Sequence, residues 1–433
     1  MSKHGLVALC YLMTVAGNAG AAVSGKERGE VEAPLVQSAA SGLALVDPFA
    51  ANETSGLPAV ESTSFSAWSG TLDALYQGTY LPGVGGDAGG HRSRQDAFLD
   101  GAATWKPNST ALVAGRLVGN YEERESAQND EYQNRLTALE YYYQQRTDNG
   151  DQALTVGRRV LGWSSGFQWR PADLIDNGFS TKNIDQKNPY RYRGVDQLRY
   201  DLIGSSADLS MLVSSQDNHF YDGNQFALRA SVRGWIGASL LYSHNGDYSS
   251  KKGLVMDGNL PGAITFSLEA VHVDVDRRRM LAPWRRGIRL ESLSGVDNYE
   301  DVYLSLTHFI DEKRRVSLEY FHNGRGFQQT APQKGGASIV GNNSLFEQEY
   351  LRRNYVYPSY TGYIDEWALQ WKPSVMFNLD DNSYMTSFSL MREIGGASEV
   401  SLNFNTFHGT TGTEFGSVSK GVGVGLSYTN HVF

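Results

Sequence analysis

Hydrophobic and polar residues alternate along most of this chain with a period of two. Phe226, Leu228, Ala230 and Val232 take turns with Ala227, Arg229, Ser231 and Arg233. Leu198, Tyr200 and Leu202 alternate with Gln197, Arg199 and Asp201, and Ile264, Phe266, Leu268 and Ala270 with Thr265, Ser267 and Glu269. The same alternation recurs at Val316–Tyr320, at Val400–Asn405 and in the last residues, where Val422, Val424, Leu426 and Tyr428 share one parity. Successive side chains of a strand point to opposite faces, so each stretch predicts a strand with one apolar and one wet face. About 18 such strands fit between Ser64 and Phe433, with about 16 as the smaller count; an even number suits a barrel whose two ends return to one side. The pattern is weakest at 150–163, where parity breaks at Arg158 and Arg159, and at 271–289.

No helical period supplies elements to cover so many apolar strand faces. Lipid outside and water inside explain the whole set, so the predicted fold is all-β, a single transmembrane antiparallel β-barrel over 64–433. Predicted connections alternate in length. Short turns fall at 106–109, 204–206, 311–314, 372–374 and 395–397, and long connections near 121–131, 164–195, 217–224, 245–262, 324–360 and 409–420. Trp-Lys-Pro occurs at 105–107 and again at 371–373, each time predicted to end a strand just before a turn.

Composition sharpens this picture. The 433 residues include 24 Tyr, 18 Phe and 47 Gly but only 12 Pro. Residues 1–22 read as a secretory signal: Lys3 and His4 precede an apolar run from Gly5 to Val15, and small residues surround a cut after Ala21 or Ala22. That run is too short for a membrane anchor, and no later stretch reaches the roughly 18 apolar residues of a spanning helix. The one cysteine, Cys10, lies inside the signal, which leaves the processed chain without disulfide, thiol or zinc-thiolate chemistry. Residues 23–63, rich in Ala, Ser, Glu, Gly and Pro, read as a flexible periplasmic segment.

The signal, the alternating strands and the terminal Phe433 together make residues 64–433 resemble Gram-negative outer-membrane porin-like barrels, including the alginate-export type. The resemblance implies a bacterial outer-membrane location, contact with outer-membrane lipid and lipopolysaccharide, and recognition of the last strand by the barrel-assembly machinery. Phe433 departs from that pattern, since it falls on the parity of Thr429 and His431; a bulge near Asn430 would restore the register.

The connection after Gly157 carries the candidate chemistry. Trp163, Phe167, Trp169, Tyr190 and Tyr192 are more aromatic than an exposed loop needs, which predicts a segment that folds inward. Between 158 and 200 there are eight basic and four acidic residues, an excess of four positive charges in a chain of formal net charge −9. The candidate binding residues are Arg170, Arg191, Arg193, Arg199, Arg229, Arg233, Trp169 and Tyr192, with Asp173, Asp196 and Asp201 keeping binding weak enough for release. A ring of guanidinium groups in a narrow pore favours anions and pairs with carboxylates in a bidentate way. Two other readings stand beside it. Inward Arg and Asp residues pair to brace a wall, and outward Arg residues, including the run Arg277–Arg279, Arg285 and Arg286, meet lipid headgroups. The aromatic residues stack on sugar rings or simply pack the loop.

The predicted function is passive passage of an anionic small solute or acidic polysaccharide through an Arg-lined lumen. The alternative is a structural or adhesive barrel whose long loops near 324–360 meet other envelope components. The scattered histidines show no ligand spacing, no Ser-His-acid set falls on adjacent strands, and the Gly-rich stretch 82–87 lacks the Lys of a phosphate loop. No metal, cofactor, catalytic site or nucleic-acid partner is expected.

Overall fold

The computed structural model describes residues 67–82, 91–126, 130–166, 168–175, 194–217, 222–245, 249–275, 298–324, 352–394, 398–410, 413–416 and 422–431. The expected signal peptide and flexible segment (1–63), Arg191, Tyr192, Arg193, the 277–286 basic run and Phe433 lie outside them. The first six strands are β1 (Ala67–Pro82), β2 (His91–Lys106), β3 (Ala111–Ser126), β4 (Asp130–Arg146), β5 (Gln152–Arg159) and β6 (Val195–Ile203). Then come β7 (Ala207–Asp217), β8 (Asp222–Val232), β9 (Ile236–Asn245), β10 (Ser249–Leu260), β11 (Ile264–Val275) and β12 (Asn298–Phe309). The last six are β13 (Arg315–His322), β14 (Asn354–Ile364), β15 (Leu369–Asn378), β16 (Tyr384–Ile394), β17 (Ser398–His408) and β18 (Val422–His431). All pair antiparallel with their chain neighbours in one 18-stranded sheet, and β1 pairs with β18 to close it. No helix among the described residues is long and apolar enough to cross a membrane.

Closure removes the free edges of the sheet, so each strand's backbone groups are paired along both sides. The two faces then divide by parity as the alternation requires. Leu117, Leu136, Leu198, Leu240, Leu304 and Leu318 lie exposed on the outer face. Ser239, Ser243, Ser267, Glu269, Glu319 and Ser401 are buried on the inner one. In β18 the register sets Val424 opposite Phe404 of β17. Register runs unbroken from Val422 to His431, so the expected bulge near Asn430 is absent.

Connections at one rim are three to five residues long, from 107–110 through 395–397, whereas the opposite rim carries the long ones. Three expected connections are strand instead. Residues 245–262 contain all of β10, whose alternation is masked because Val255 faces inward beside Asp257 and Lys251. Tyr121–Ser126 extends β3, in antiparallel register with Arg92–Ala97 of β2. Strands of 16 or 17 residues such as β1–β4 exceed the roughly 9–11 that cross a bilayer, so their charged ends project beyond the apolar belt. Lys372-Pro373-Ser374 lies within β15. There Pro358 and Pro373 interrupt the β14–β15 ladder without ending it, since proline lacks the N–H. The second Trp-Lys-Pro therefore precedes no turn. Its Trp371 ring covers Gly362 on the next strand, where an added Cβ would meet Trp371 Nε1 at 2.6 Å.

Candidate functional site

Residues 160–175 leave β5 at the long-connection rim and fold into the barrel. Part of this segment's shape is local. Asp173 Oδ1 accepts the backbone N–H groups of Trp163 and Ser164 at 2.7 and 2.8 Å, and its Oδ2 lies 3.1 Å from Arg170 Nε. Burial pushes the Asp173 carboxyl above its ordinary value, while Arg170 and the two N–H groups oppose that shift.

The wall supplies the rest. Glu269, fully buried on β11, accepts the Ser164 hydroxyl at 2.7 Å, the N–H groups of Ser165 and Gly166 at 2.7 Å, and that of Ala172 at 3.0 Å. Carboxylates accept strongly from backbone N–H groups, so one side chain gathers both ends of a turn. Glu319 on β13 accepts the Gln168 N–H at 3.0 Å and the Tyr303 hydroxyl at 2.9 Å. Lys251 and Gln225 both donate to the Leu174 carbonyl, at 3.2 and 3.0 Å. Gly166 presses against the chain so closely that a Cβ would sit 1.8 Å from Trp169 O and 3.1 Å from the Tyr303 ring.

Two apolar clusters hold the segment to the inner wall. Leu161, Trp163, Leu174 and Ile175 pack with inward Leu212, Leu241, Val255 and Val271. Trp169 is fully buried with Tyr303, Phe321, Tyr355 and Tyr357, its ring stacked 5.3 Å from Phe321. Covering a fully buried side chain of this size stabilises by about 1.5–3 kcal/mol or more. Trp169 and Trp163 are therefore packing residues. Neither ring offers a face to a sugar, and the expectation of Trp169 as a binding residue is corrected. Phe167, Tyr190 and Tyr192 lie outside the described residues.

The arginines divide by location. On the inner wall, register sets Asp201 opposite Ser210 and Ser210 opposite Arg229 across β6–β8. Arg199 Nε bonds Asp201 at 2.8 Å, and Arg229 Nη2 reaches Ser239 Oγ at 3.4 Å. Two guanidinium groups thus flank one carboxylate. Arg170 joins the lumen from the folded segment, paired with Asp173. Arg233 lies one residue past β8 in the short-turn rim, bound to Asp208 at 2.5 and 2.6 Å, so it belongs to the mouth and not to the narrows. Asp196 is on the outer parity, bound by Arg158 at 2.5 and 3.0 Å and by the Tyr141 hydroxyl at 2.8 Å, and it cannot temper a lumenal anion. The parity break at Arg158 and Arg159 is explained by this outward pair beside an inward, buried Arg159.

Sequence reading missed Glu269 and Glu319 as anchors. A signal for them existed: Leu212, Val271, Tyr303 and Phe321 are apolar residues on the polar parity, which a bare wet wall would not need. Beneath the segment lies a cavity of about 380 Å³, edged by Ser164–Gly166, Arg170 and the inner faces of β11–β15. Among the described residues, no group of His, Asp or Glu side chains is placed to hold a metal ion.

No protein-family model matches this chain, and no curated protein matches it in sequence. Its fold does match solved structures. Pseudomonas aeruginosa OccK11 (OpdR) is similar with a TM-score of 0.53 and 12% identity, covering 84% of this chain and 95% of that one. Pseudomonas aeruginosa OccK7 (OpdD) gives 0.52 and 9%, over 85% and 99%. Acinetobacter baumannii OccAB4 gives 0.52 and 9%, over 84% and 97%. At these identities the likeness shows a shared barrel fold.

Proposed function

We propose that this chain is a bacterial outer-membrane channel through which small organic anions diffuse passively. The observation that carries the reading is the 160–175 segment, pinned inside an 18-stranded barrel by Glu269 and Glu319 while Arg170, Arg199 and Arg229 face the narrowed lumen. An apolar outer belt suits lipid, and a hydrated interior lined by both charge signs binds weakly enough to release. The shared fold with the bacterial Occ proteins supports the same reading. Burial of Trp163 and Trp169 removes an aromatic track and favours a small solute over a polysaccharide.

The test is the reversal potential of the refolded protein in a planar bilayer under a salt gradient. Open current with anion preference is expected, and Arg199→Ala with Arg229→Ala should shift the reversal potential toward cations. Unchanged selectivity in the double variant would remove the role of these arginines. No current from a correctly folded barrel would remove the channel.

A further inference from the structure

A second long connection also turns into the barrel. After β17 the chain makes a tight turn: Thr413 donates to Thr410 O from both its N–H and its hydroxyl, at 3.1 and 2.7 Å, and Gly416 N–H returns to Thr413 Oγ1 at 3.2 Å. The neck is closed, since a Cβ on Gly416 would lie 2.3 Å from Thr410 O. The side chain presented by this turn is apolar and buried. Phe415 belongs to the same cluster as Trp169, with inward Tyr355, Met376 and Met385.

The wall anchors the turn as it anchors the first segment. Glu414 N–H donates to Asp381 Oδ2 at 2.8 Å, and Phe415 N–H to Ser383 Oγ at 3.2 Å, both in the connection between β15 and β16. Asp381 Oδ2 also meets Arg352 Nε at 3.2 Å, in an ion pair buried on both sides. The Glu414 carboxylate crosses to β14 and β15. Its Oε2 accepts the Tyr355 hydroxyl at 2.7 Å and Asn378 Nδ2 at 2.6 Å, and register sets those two residues opposite one another. The Tyr355 hydroxyl in turn accepts Arg352 N–H at 2.6 Å, so its own proton is directed at Glu414.

Tyr355 therefore serves both inward segments. Its hydroxyl holds Glu414, and its ring lies 6.2 Å from that of Trp169. The 160–175 segment is rooted at β5, and Trp169 is the part of it that reaches β12–β14. There Glu319 takes the Gln168 N–H on one side, and Phe415 with Met376 and Met385 completes the cluster on the other. A side chain packed between two bonded segments cannot shift without disturbing both.

We propose that Glu414, Tyr355 and Phe415 are positioning residues of the constriction, and that the 413–416 turn and the Gln168–Trp169 tip open as one unit. The width of the lumen is then set from two connections. This rests on the channel reading and names what regulates the narrows.

The experiment measures amide hydrogen exchange and single-channel conductance on the full chain. Glu414→Ala and Tyr355→Phe each remove the bond between hydroxyl and carboxylate. Both should speed exchange in the peptide containing Gln168 and Trp169 by about fivefold or more, the lower end of coupling between distinct sites, and both should raise the conductance and its noise. Glu414→Gln keeps an acceptor oxygen and should restore both readouts. Coupling is reciprocal, so Trp169→Ala should speed exchange at 413–416 in turn. A role confined to the turn itself would speed exchange only at 378–383 and 413–416; that pattern, with Gln168 and Trp169 unchanged, overturns the proposal and leaves the channel standing. Faster exchange at the tip with unaltered conductance overturns the control of width and also leaves the channel. A folded barrel without current overturns the channel reading and the control of width with it. Should Glu414→Ala not fold, Tyr355→Phe, which removes a single oxygen, decides.

Discussion

Glu269 shows how much one residue can organise. Its two oxygens receive five donors from a segment about a hundred positions earlier in the chain, the Ser165 hydroxyl among them. Removing the acceptor leaves those donors facing a buried wall, a loss of about 1–3 kcal/mol for each left unsatisfied. Glu269→Ala should therefore loosen residues 164–172 and give a larger, noisier single-channel conductance than the unaltered protein. Glu269→Gln keeps one acceptor oxygen and should fall between them. Wild-type conductance and noise in Glu269→Ala would show that the apolar clusters hold the segment without this carboxylate.

At the scale of an element, the turn joining β12 to β13 is built from charge. Asp311 Oδ1 accepts the Lys313 N–H at 2.9 Å, its Oδ2 accepts Arg314 Nε at 2.6 Å, and Lys313 Nζ reaches Asp365 Oδ1 at 2.6 Å in the neighbouring turn. These bonds hold the Asp311 carboxyl below its ordinary value of 3.8, and the Asp365 partner raises Lys313. A carboxyl depressed in the folded state contributes stability above its unfolded pKa and loses it as pH falls through the folded one. The turn should hold at pH values above 3.8 and open progressively below. Hydrogen exchange of residues 309–316, corrected for intrinsic rate, checks this against Asp311→Asn, which should show no such acid transition. Equal behaviour of the two proteins would assign the turn's order to its ladder bonds alone.

The whole molecule depends on its solvent being lipid on one side. Leu240, 65% exposed near the middle of β9, has no protein to cover it. A charge placed there should cost about 2–4 kcal/mol at the membrane midplane. Leu240→Arg should accordingly lower the unfolding midpoint in a urea titration of vesicle-embedded protein, with the barrel still closing through β1 and β18. An unchanged midpoint would mean that this band of the wall does not face hydrocarbon.

Strand number, barrel class and the direction of most side chains were legible in the sequence, because parity is a local property: two residues apart means the same face. The inward fate of the segment after Gly157 was legible too, from aromatic residues that an exposed loop does not need. Which groups meet inside the barrel was not. Glu269 and Glu319 read as ordinary wet-face residues until the segment's N–H groups arrive. Trp169 read as a sugar platform until four aromatic residues from β12–β14 close over it. Asp196 shares the parity of Leu198, so its outward face was legible and was overlooked, whereas the place of Arg233 just past β8 was not. The alternation along the chain therefore determined the wall. Only closure of the sheet, which sets β11–β15 around a segment rooted at β5, decided what the lumen contains.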